Sequence, residues 1–295
     1  MGSISVVVTA PGGIAGCGFL DQLIPQTDAG GVQIVVVDGS PDFIDQSRDG
    51  LLHIAAPQAD IQGLVTEGLR QAAGDWVIVT EDHCRPLPGL IDSYRKAIDD
   101  QPGIDLFSGA VDNLTSTSPW SFALFLSGLG QQWTGAETAP PAPTNANLMV
   151  RRSAILAGEL TRAGGFLNLT IPRLIAAGRY GHCPAAVVDH ILSLDGRAAL
   201  TFQYHCAVGV ITANRETTPP LPWPARLAQT GRQLVSYVLV GPWRTVRSLR
   251  GTPHARGGTG LRLMLLGLAV MVATVTVNLR RPGQRPMSSA PGEGG

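Results

Sequence analysis

The sequence predicts an α/β fold, a Rossmann-like twisted sheet with helices on both faces, continued by C-terminal amphipathic and transmembrane helices. Three observations predict it. Short apolar runs rich in β-branched residues alternate with segments of helical period through the first half of the chain. Two of those runs end in carboxylates, Asp38 and the pair Glu81-Asp82, which a dry core would not tolerate unpaired. Beyond a proline-rich break, Leu263 to Leu279 runs for 17 residues without a charge.

Ile4 to Thr9 is an apolar run closed by Pro11-Gly12-Gly13, with the length and flanks of a buried strand. Ile14 to Ile24 reads as the helix after it. Val32 to Val37, ending in Asp38-Gly39-Ser40, is the second strand, and Leu51 to Ala55 a short third. From Ile61 to Ala73 the apolar residues Ile61, Leu64, Val65, Leu69 and Ala72 keep a helical spacing that Gly74 closes. Trp76 to Thr80 is the fourth strand and Leu90 to Ile98 the next helix. This alternation with short loops predicts a parallel sheet with right-handed crossovers. Further on, Asp105 to Ala110 and Ala185 to Val188 read as strands. Leu148 to Leu156 reads as a strand and helix, and Leu169 to Ala177 and Phe202 to Ala213 as helices. Ala139 to Asn147 is a proline-rich loop.

The formal net charge is zero, and no basic stripe with interleaved aromatics marks the main domain, so nucleic acid is set aside as a partner. Four cysteines are too sparse for a disulfide framework. Three of them follow a histidine, in His83-Cys84, His182-Cys183 and His205-Cys206. A composite zinc site is therefore conceivable, although no CxxC or HxxxH spacing supports it. Ile14-Ala15-Gly16-Cys17 resembles a lipoprotein cleavage box. No basic residue precedes it and Pro11-Gly12-Gly13 interrupts the apolar run, so the segment reads as the start of the fold.

The tetrapeptide Glu81-Asp82-His83-Cys84 carries the most chemistry. It sits where the strand Trp76 to Thr80 runs out, and in open α/β sheets ligands bind at the carboxyl ends of strands. A carboxylate pair with an adjacent imidazole there can hold a divalent cation, and the cation a diphosphate. The bland reading is a solvated turn with helix-capping acids.

Three segments, in order and spacing, resemble the nucleotide-binding half of family-2-type inverting glycosyltransferases. They are Ser5-Val6-Val7-Val8-Thr9-Ala10-Pro11, Val35-Val36-Val37-Asp38-Gly39-Ser40, and Gly68-Leu69-Arg70-Gln71-Ala72-Ala73-Gly74-Asp75 leading into Glu81-Asp82-His83. The resemblance spans residues 4–215 and is best in the first half. It implies a GT-A-like nucleotide-diphospho-sugar transferase fold, Mg2+ or Mn2+, and a UDP- or GDP-sugar as donor. By resemblance, Thr9, Ala10 and Pro11 line the nucleotide site, and Asp38 accepts hydrogen bonds from the base or ribose. Asp82 matches the last Asp of the DxD-type motif that meets the metal and diphosphate, and Glu81 is a flanking acid.

In the second half Gly164-Gly165-Phe166 matches the family's Gly-Gly-Phe. Leu167-Asn168-Leu169-Thr170 stands where the family has the acidic pair that supplies the catalytic base. Asp189, His190 and Glu159 are the substitute candidates. In related enzymes a histidine near this point approaches the metal, which joins His190 to Asp82 as a metal ligand. Asn145-Ala146-Asn147 resembles the segment lining the acceptor side. Arg151 and Arg152 after it are open to phosphate contact or to plain solvation.

The expected domains are a catalytic domain over 1–216, a Pro-rich hinge and basic juxtamembrane segment over 217–260, a transmembrane helix over 261–280 and a disordered tail over 281–295. The arginine flanks place the main domain at the cytoplasmic face of a bacterial inner membrane. The resemblance implies a metal-dependent hexosyltransferase, and the expected anchor adds a lipid-linked or cell-envelope glycan acceptor, since a protein held at the bilayer meets lipid substrates at high effective concentration. The alternative is a degenerate, inactive relative that binds nucleotide or serves as a membrane scaffold, motivated by the missing acidic pair.

Overall fold

The computed structural model describes residues 2–18, 20–28, 31–57, 59–114, 118–134, 139–160, 165–217, 232, 235–248 and 258–279. The strands are β1 (Ile4–Ala10), β2 (Gln33–Asp38), β3 (Leu51–Ala55), β4 (Trp76–Glu81), β5 (Cys84–Pro86), β6 (Leu106–Asp112), β7 (Asn147–Arg151) and β8 (Tyr180–His190). The helices are α1 (Leu20–Asp28), α2 (Ile61–Gln71), α3 (Leu90–Asp100), α4 (Pro119–Leu129), α5 (Ile171–Ala176), α6 (Gly196–Thr217), α7 (Gly241–Ser248) and α8 (Thr259–Leu279).

Among the described residues the eight strands form one sheet in the order β3-β2-β1-β4-β7-β6-β8-β5. The half from β3 to β4 is parallel, as the alternation predicts. The other half corrects the expectation of a parallel sheet. There β7 runs antiparallel to both β4 and β6, and β5 antiparallel to β8. The physical reason is the connection. The path through α4 and the Pro-rich 139–146 segment returns the chain into the gap between β4 and β6 from the opposite end. Pro86 sits on the sheet edge, where a missing N–H breaks no ladder.

Both faces of the sheet are covered, so its central strands are buried apart from Gln33 and Glu81 at their ends. Val6 and Val8 of β1 face a core completed by Leu23 of α1, Tyr94 of α3, Phe125 of α4 and Leu263 and Leu266 of α8. Val7 faces the opposite core, with Leu64 and Leu69 of α2 and Leu174 of α5. Asp60 caps α2 by accepting from Gly63 N at 2.8 Å. Gly68 explains how closely α2 lies on β1: a Cβ there would fall 2.2 Å from Val7 Cγ1.

Several boundaries move: the helix expected over Phe202 to Ala213 spans Gly196–Thr217, and the helix expected after the strand at Leu148 is replaced by the 3-10 turns Arg152–Ala154 and Ala157–Leu160. The helix expected over Ile14 to Ile24 is a 3-10 turn, Ile14–Gly16, followed by α1. Gly13 enters that turn at φ 97°, and the glycines at 16 and 18 weaken a continuous helix. The strand expected over Ala185 to Val188 grows to Tyr180–His190, because 180–183 pair with 106–109 ahead of a bulge at Gly109/Ala110. The helix expected over Leu169 to Ala177 begins as a π turn, Phe166–Thr170, and continues as α5.

The 22-residue α6 packs on α8, and Arg262 of α8 stacks 5.8 Å from the Trp120 ring of α4. By length and composition α8 is long and apolar enough to cross a membrane. The rest of the expected hinge, most of the basic segment, Gly164 and the tail lie outside the described residues.

Candidate functional site

The chain leaves β4 at Glu81, turns at Asp82-His83 and re-enters the sheet as β5. Two backbone bonds clamp the turn: Asp82 N donates to Thr9 O at 2.9 Å and Ile191 N to His83 O at 2.8 Å. The β5–β8 register sets Cys84 opposite His190 and Arg85 opposite Asp189. Directly opposed residues share a face, so the two pairs project to opposite sides.

On one side Glu81, His83, Cys84 and His190 bring one donor atom each within 4.8 Å of one another. His83 Nε2 lies 3.0 Å from His190 Nε2 and 3.3 Å from Glu81 Oε2. Its other ring nitrogen, Nδ1, meets Asp82 Oδ1 at 2.8 Å. Cys84 and His190 are buried, and the Phe125 ring of α4 lies 6.1 Å from His190. Burial raises Glu81 above its ordinary carboxylate range, opposed by His83. Burial alone would lower His83, but Asp82 and Glu81 outweigh it and raise the imidazole. His190 is pushed down to about 3, by burial and then by the neighbouring His83. The Cys84 thiol is held well above its usual range by burial and the Glu81 charge. His190 Nδ1 has no hydrogen-bond partner among the described residues. A half-buried acid and imidazole converging with a buried imidazole and thiol fit a divalent cation, whose charge would reverse these burdens.

On the other side Arg85 donates to Asp189 Oδ2 at 2.7 Å, and Leu114 N to Asp189 Oδ1 at 2.8 Å. Asp189 is fully buried and holds the β5–β8 edge together.

The remaining predicted residues separate. Thr9 and Ala10 are buried in β1, and only Pro11 of that segment is exposed. Asp38 is buried; it accepts from Ile14 N at 3.1 Å and Ser40 N at 2.7 Å, and its Oδ2 meets His53 Nε2 at 3.0 Å. Three of its roughly four acceptor positions are thereby occupied inside the protein. It shapes the Pro11-to-Ile14 loop beside the site. Glu159 is distant in the fold: it is bound by Arg173 and Thr170, and its neighbour Leu160 meets Arg70 at the far end of α2. Arg151 is also at the opposite sheet edge, opposed to Trp76 at the start of β4 and paired with Asp105 at 2.7 Å. Arg152 N binds Asp75 O at that same edge. Neither arginine can meet a diphosphate at Asp82.

Asn147 sits opposite Thr80, at the site's edge of the sheet. Its side chain donates to Ala110 O and Ala186 O and accepts from Tyr94, all at 2.7–2.8 Å. A cavity of ≈ 600 Å³ opens beside it, lined in part by Gln132, Thr144, Asn145, Leu167 and Ile171.

Sequence reasoning singled out His83 beside the acid pair but did not number it or Cys84 among the metal ligands. The repeated His-Cys dipeptide was the available signal. The other two dipeptides are elsewhere: His182 Nδ1 meets Ser108 O at 3.0 Å, and Cys206 lies on α6.

No family profile and no curated protein matches the sequence. Solved structures do match the fold. A mannosyltransferase from Pyrobaculum calidifontis, in complex with GDP-Man and Mn2+, is 15% identical over 94% of this chain and 87% of its own, with a TM-score of 0.55. Glucosyl-3-phosphoglycerate synthase from Mycobacterium tuberculosis, with Mn2+ and UDP-glucose, is 15% identical over 70% of this chain and 77% of its own, with a TM-score of 0.46. Mannosyl-3-phosphoglycerate synthase from Rubrobacter xylanophilus is 14% identical over 74% and 77%, with a TM-score of 0.44. The chain thus shares the fold of the Pyrobaculum mannosyltransferase.

Proposed function

We propose that the protein is a glycosyltransferase using a nucleoside diphosphate sugar and a divalent metal. One observation carries this: the Glu81-Asp82-His83 turn and His190 converge at the carboxyl edge of a sheet whose fold matches a transferase that binds GDP-mannose and Mn2+. A bound divalent cation would supply electrostatic stabilisation of the departing diphosphate. Glu81, His83 and His190 would hold it, and Asp82 fixes the His83 ring. The loop after β1, shaped by Asp38, stands where a nucleotide would lie. The cavity beside Asn145 is the place for the acceptor.

Family-2-type inverting chemistry rests on the first-half motifs. Of the candidate bases, Asp189 is bound to Arg85, Glu159 lies at the other edge and His190 belongs to the metal cluster, so each of the three is already engaged. The anomeric configuration of the product, read by NMR, decides between inversion and retention.

Membrane anchoring through α8 completes the reading. Leu261, Met264, Leu268, Val272 and Val275 form an exposed apolar stripe at helical spacing, while Leu263 and Leu266 face the core. Because α8 packs on α4, whose Phe125 ring lies 6.1 Å from His190, an acceptor held in lipid has a short route to the site. A lipid-linked or cell-envelope glycan acceptor on the cytoplasmic side of a bacterial inner membrane fits this placement.

A second reading, a nucleotide-binding scaffold without turnover, is favoured by the engagement of Asp189 with Arg85 and Leu114. Calorimetry of UDP and GDP binding to the detergent-solubilised chain, with and without Mn2+, followed by a sugar-transfer screen, tests both. Metal-dependent binding lost in Asp82→Ala, with transfer, supports the enzyme. Binding without transfer from any donor supports the scaffold. No nucleotide binding by folded protein overturns both.

A further inference from the structure

The donor set at the β4–β5 turn is unlike an oxygen cage. Among its four atoms one is a carboxylate oxygen, two are imidazole nitrogens and one is a thiol sulfur. We infer that Glu81, His83, Cys84 and His190 form a tetrahedral thiolate-containing site that selects Zn2+-class ions over Mg2+ and Mn2+. The inference uses the same cluster as the proposed glycosyltransferase site, and it deepens that reading by naming how the site chooses and is regulated by metal.

The geometry supports it directly at the two histidines and Glu81, and the Cys84 sulfur lies within 4.8 Å of their donor atoms. With metal–nitrogen bonds of about 2.0 Å and tetrahedral angles, two ligating nitrogens lie about 3.3 Å apart. His83 Nε2 and His190 Nε2 are 3.0 Å apart, and His83 Nε2 and Glu81 Oε2 are 3.3 Å apart. An ion between them needs only small rotations of the rings. Cys84 stands directly across the ladder from His190, so its sulfur shares that face of the sheet. Coordination replaces the Cys84 S–H bond with an S–metal bond, and the proton leaves to solvent. Asp82 supplies the outer partner: its bond to His83 Nδ1 fixes the tautomer that leaves Nε2 free for the metal.

Ligand chemistry then decides the ion. Mg2+ demands six oxygen-type ligands in an octahedron, and this cluster offers one oxygen. Imidazole and thiolate donors in a tetrahedron suit zinc, and nitrogen and sulfur donors rank Mn2+ lowest in affinity. Four protein ligands also close the coordination sphere. A nucleotide diphosphate must therefore displace one of them, so Zn2+ acts as a brake on metal-dependent nucleotide binding.

The test is a Co2+ titration of the metal-free, full-length, detergent-solubilised protein, followed by absorption. Cobalt reports both geometry and sulfur ligation. The expected spectrum has intense tetrahedral bands in the visible and a sulfur-to-cobalt charge-transfer band in the near ultraviolet. Zn2+ should abolish both at one equivalent, and excess Mg2+ or Mn2+ should leave both. Cys84→Ser should remove the charge-transfer band, and Cys183→Ser and Cys206→Ser should keep it. A weak octahedral spectrum without charge transfer overturns the inference, as does a charge-transfer band that survives in Cys84→Ser. The wild-type spectrum alone decides if Cys84→Ser does not fold. UDP and GDP binding with Mn2+ on the same preparation separates the two readings. Nucleotide binding with an octahedral cobalt spectrum removes the zinc site and keeps the glycosyltransferase. A thiolate spectrum without nucleotide binding does the reverse.

Discussion

His83 and His190 point their Nε2 atoms at each other across 3.0 Å, from a turn and from the end of a strand 107 residues later. Neither neighbour in sequence could arrange this. The β5–β8 register and the Asp82 bond to the far side of the His83 ring hold the two nitrogens together. Removing Asp82 should therefore weaken metal binding even though its bond is to the ring rather than to the metal. Asp82→Ala is expected to lower metal affinity about 10–100-fold, the usual effect of losing such an outer partner. Isothermal titration with the metal alone measures this, and an unchanged affinity would refute the role.

Arg85 and Asp189 form the structural counterpart on the other side of β5. Asp189 is fully buried, so Arg85→Met leaves an uncompensated carboxylate and should cost about 3–5 kcal/mol in stability. Urea denaturation reads the loss. Adding Asp189→Leu to the same chain should recover a large part of it, because the buried charge is then gone.

Glu159 makes a pH prediction. Arg173 holds its carboxyl down to about 2, from an ordinary value of 4.5, with Thr170 and Leu156 N helping against burial. The unfolded chain therefore takes up the proton first as pH falls. The stabilisation is full above the unfolded value and is lost as pH drops through about 2. On the order of 2–3 kcal/mol is at stake. Urea midpoints from pH 5 downward should fall for the wild type, and Glu159→Gln should be less stable above pH 5 and lack this part of the slope.

Gly68→Ala should destabilise by about 1–3 kcal/mol, because the added methyl meets Val7 Cγ1 at 2.2 Å between helix and sheet. Gly103→Ala, with nothing within 4 Å, is the control and should change little. Thermal unfolding of the two variants side by side would expose any error in the packing of α2 on β1.

The α8 stripe predicts lipid contact. Leu268→Glu with Val272→Glu should release the chain from anionic vesicles in a flotation assay, while circular dichroism stays unchanged. Retention on vesicles by the double variant would mean that another surface binds the membrane.

Much of the parallel half was legible. Ile4 to Thr9, Val32 to Val37 and Trp76 to Thr80 read as strands because both their faces are buried, which makes each a mostly apolar run, interrupted at Ser5 and Gln33. Asp38 and the acid pair were legible as strand-end carboxylates, but their tasks were not. Asp38 faces inward to Ile14, Ser40 and His53, partners fixed by how the loops close. Antiparallel β7 was readable as a strand, yet its direction depends on how a long proline-rich connection returns. The three-residue β5 carries no periodicity at all.

By itself the sequence determined the apolar alternation, the acid–imidazole turn after β4 and the long apolar segment that became α8. Those are local properties, set by residue type and spacing. Only the tertiary structure decided that Cys84 and His190 oppose one another, that Asp189 belongs to Arg85, and that Glu159, Arg151 and Arg152 lie at the wrong edge. Strand register converts a shift of one residue into a change of face, and direction decides which end of the sheet a residue reaches. Both are settled by pairing between distant segments, so no local pattern could have carried them.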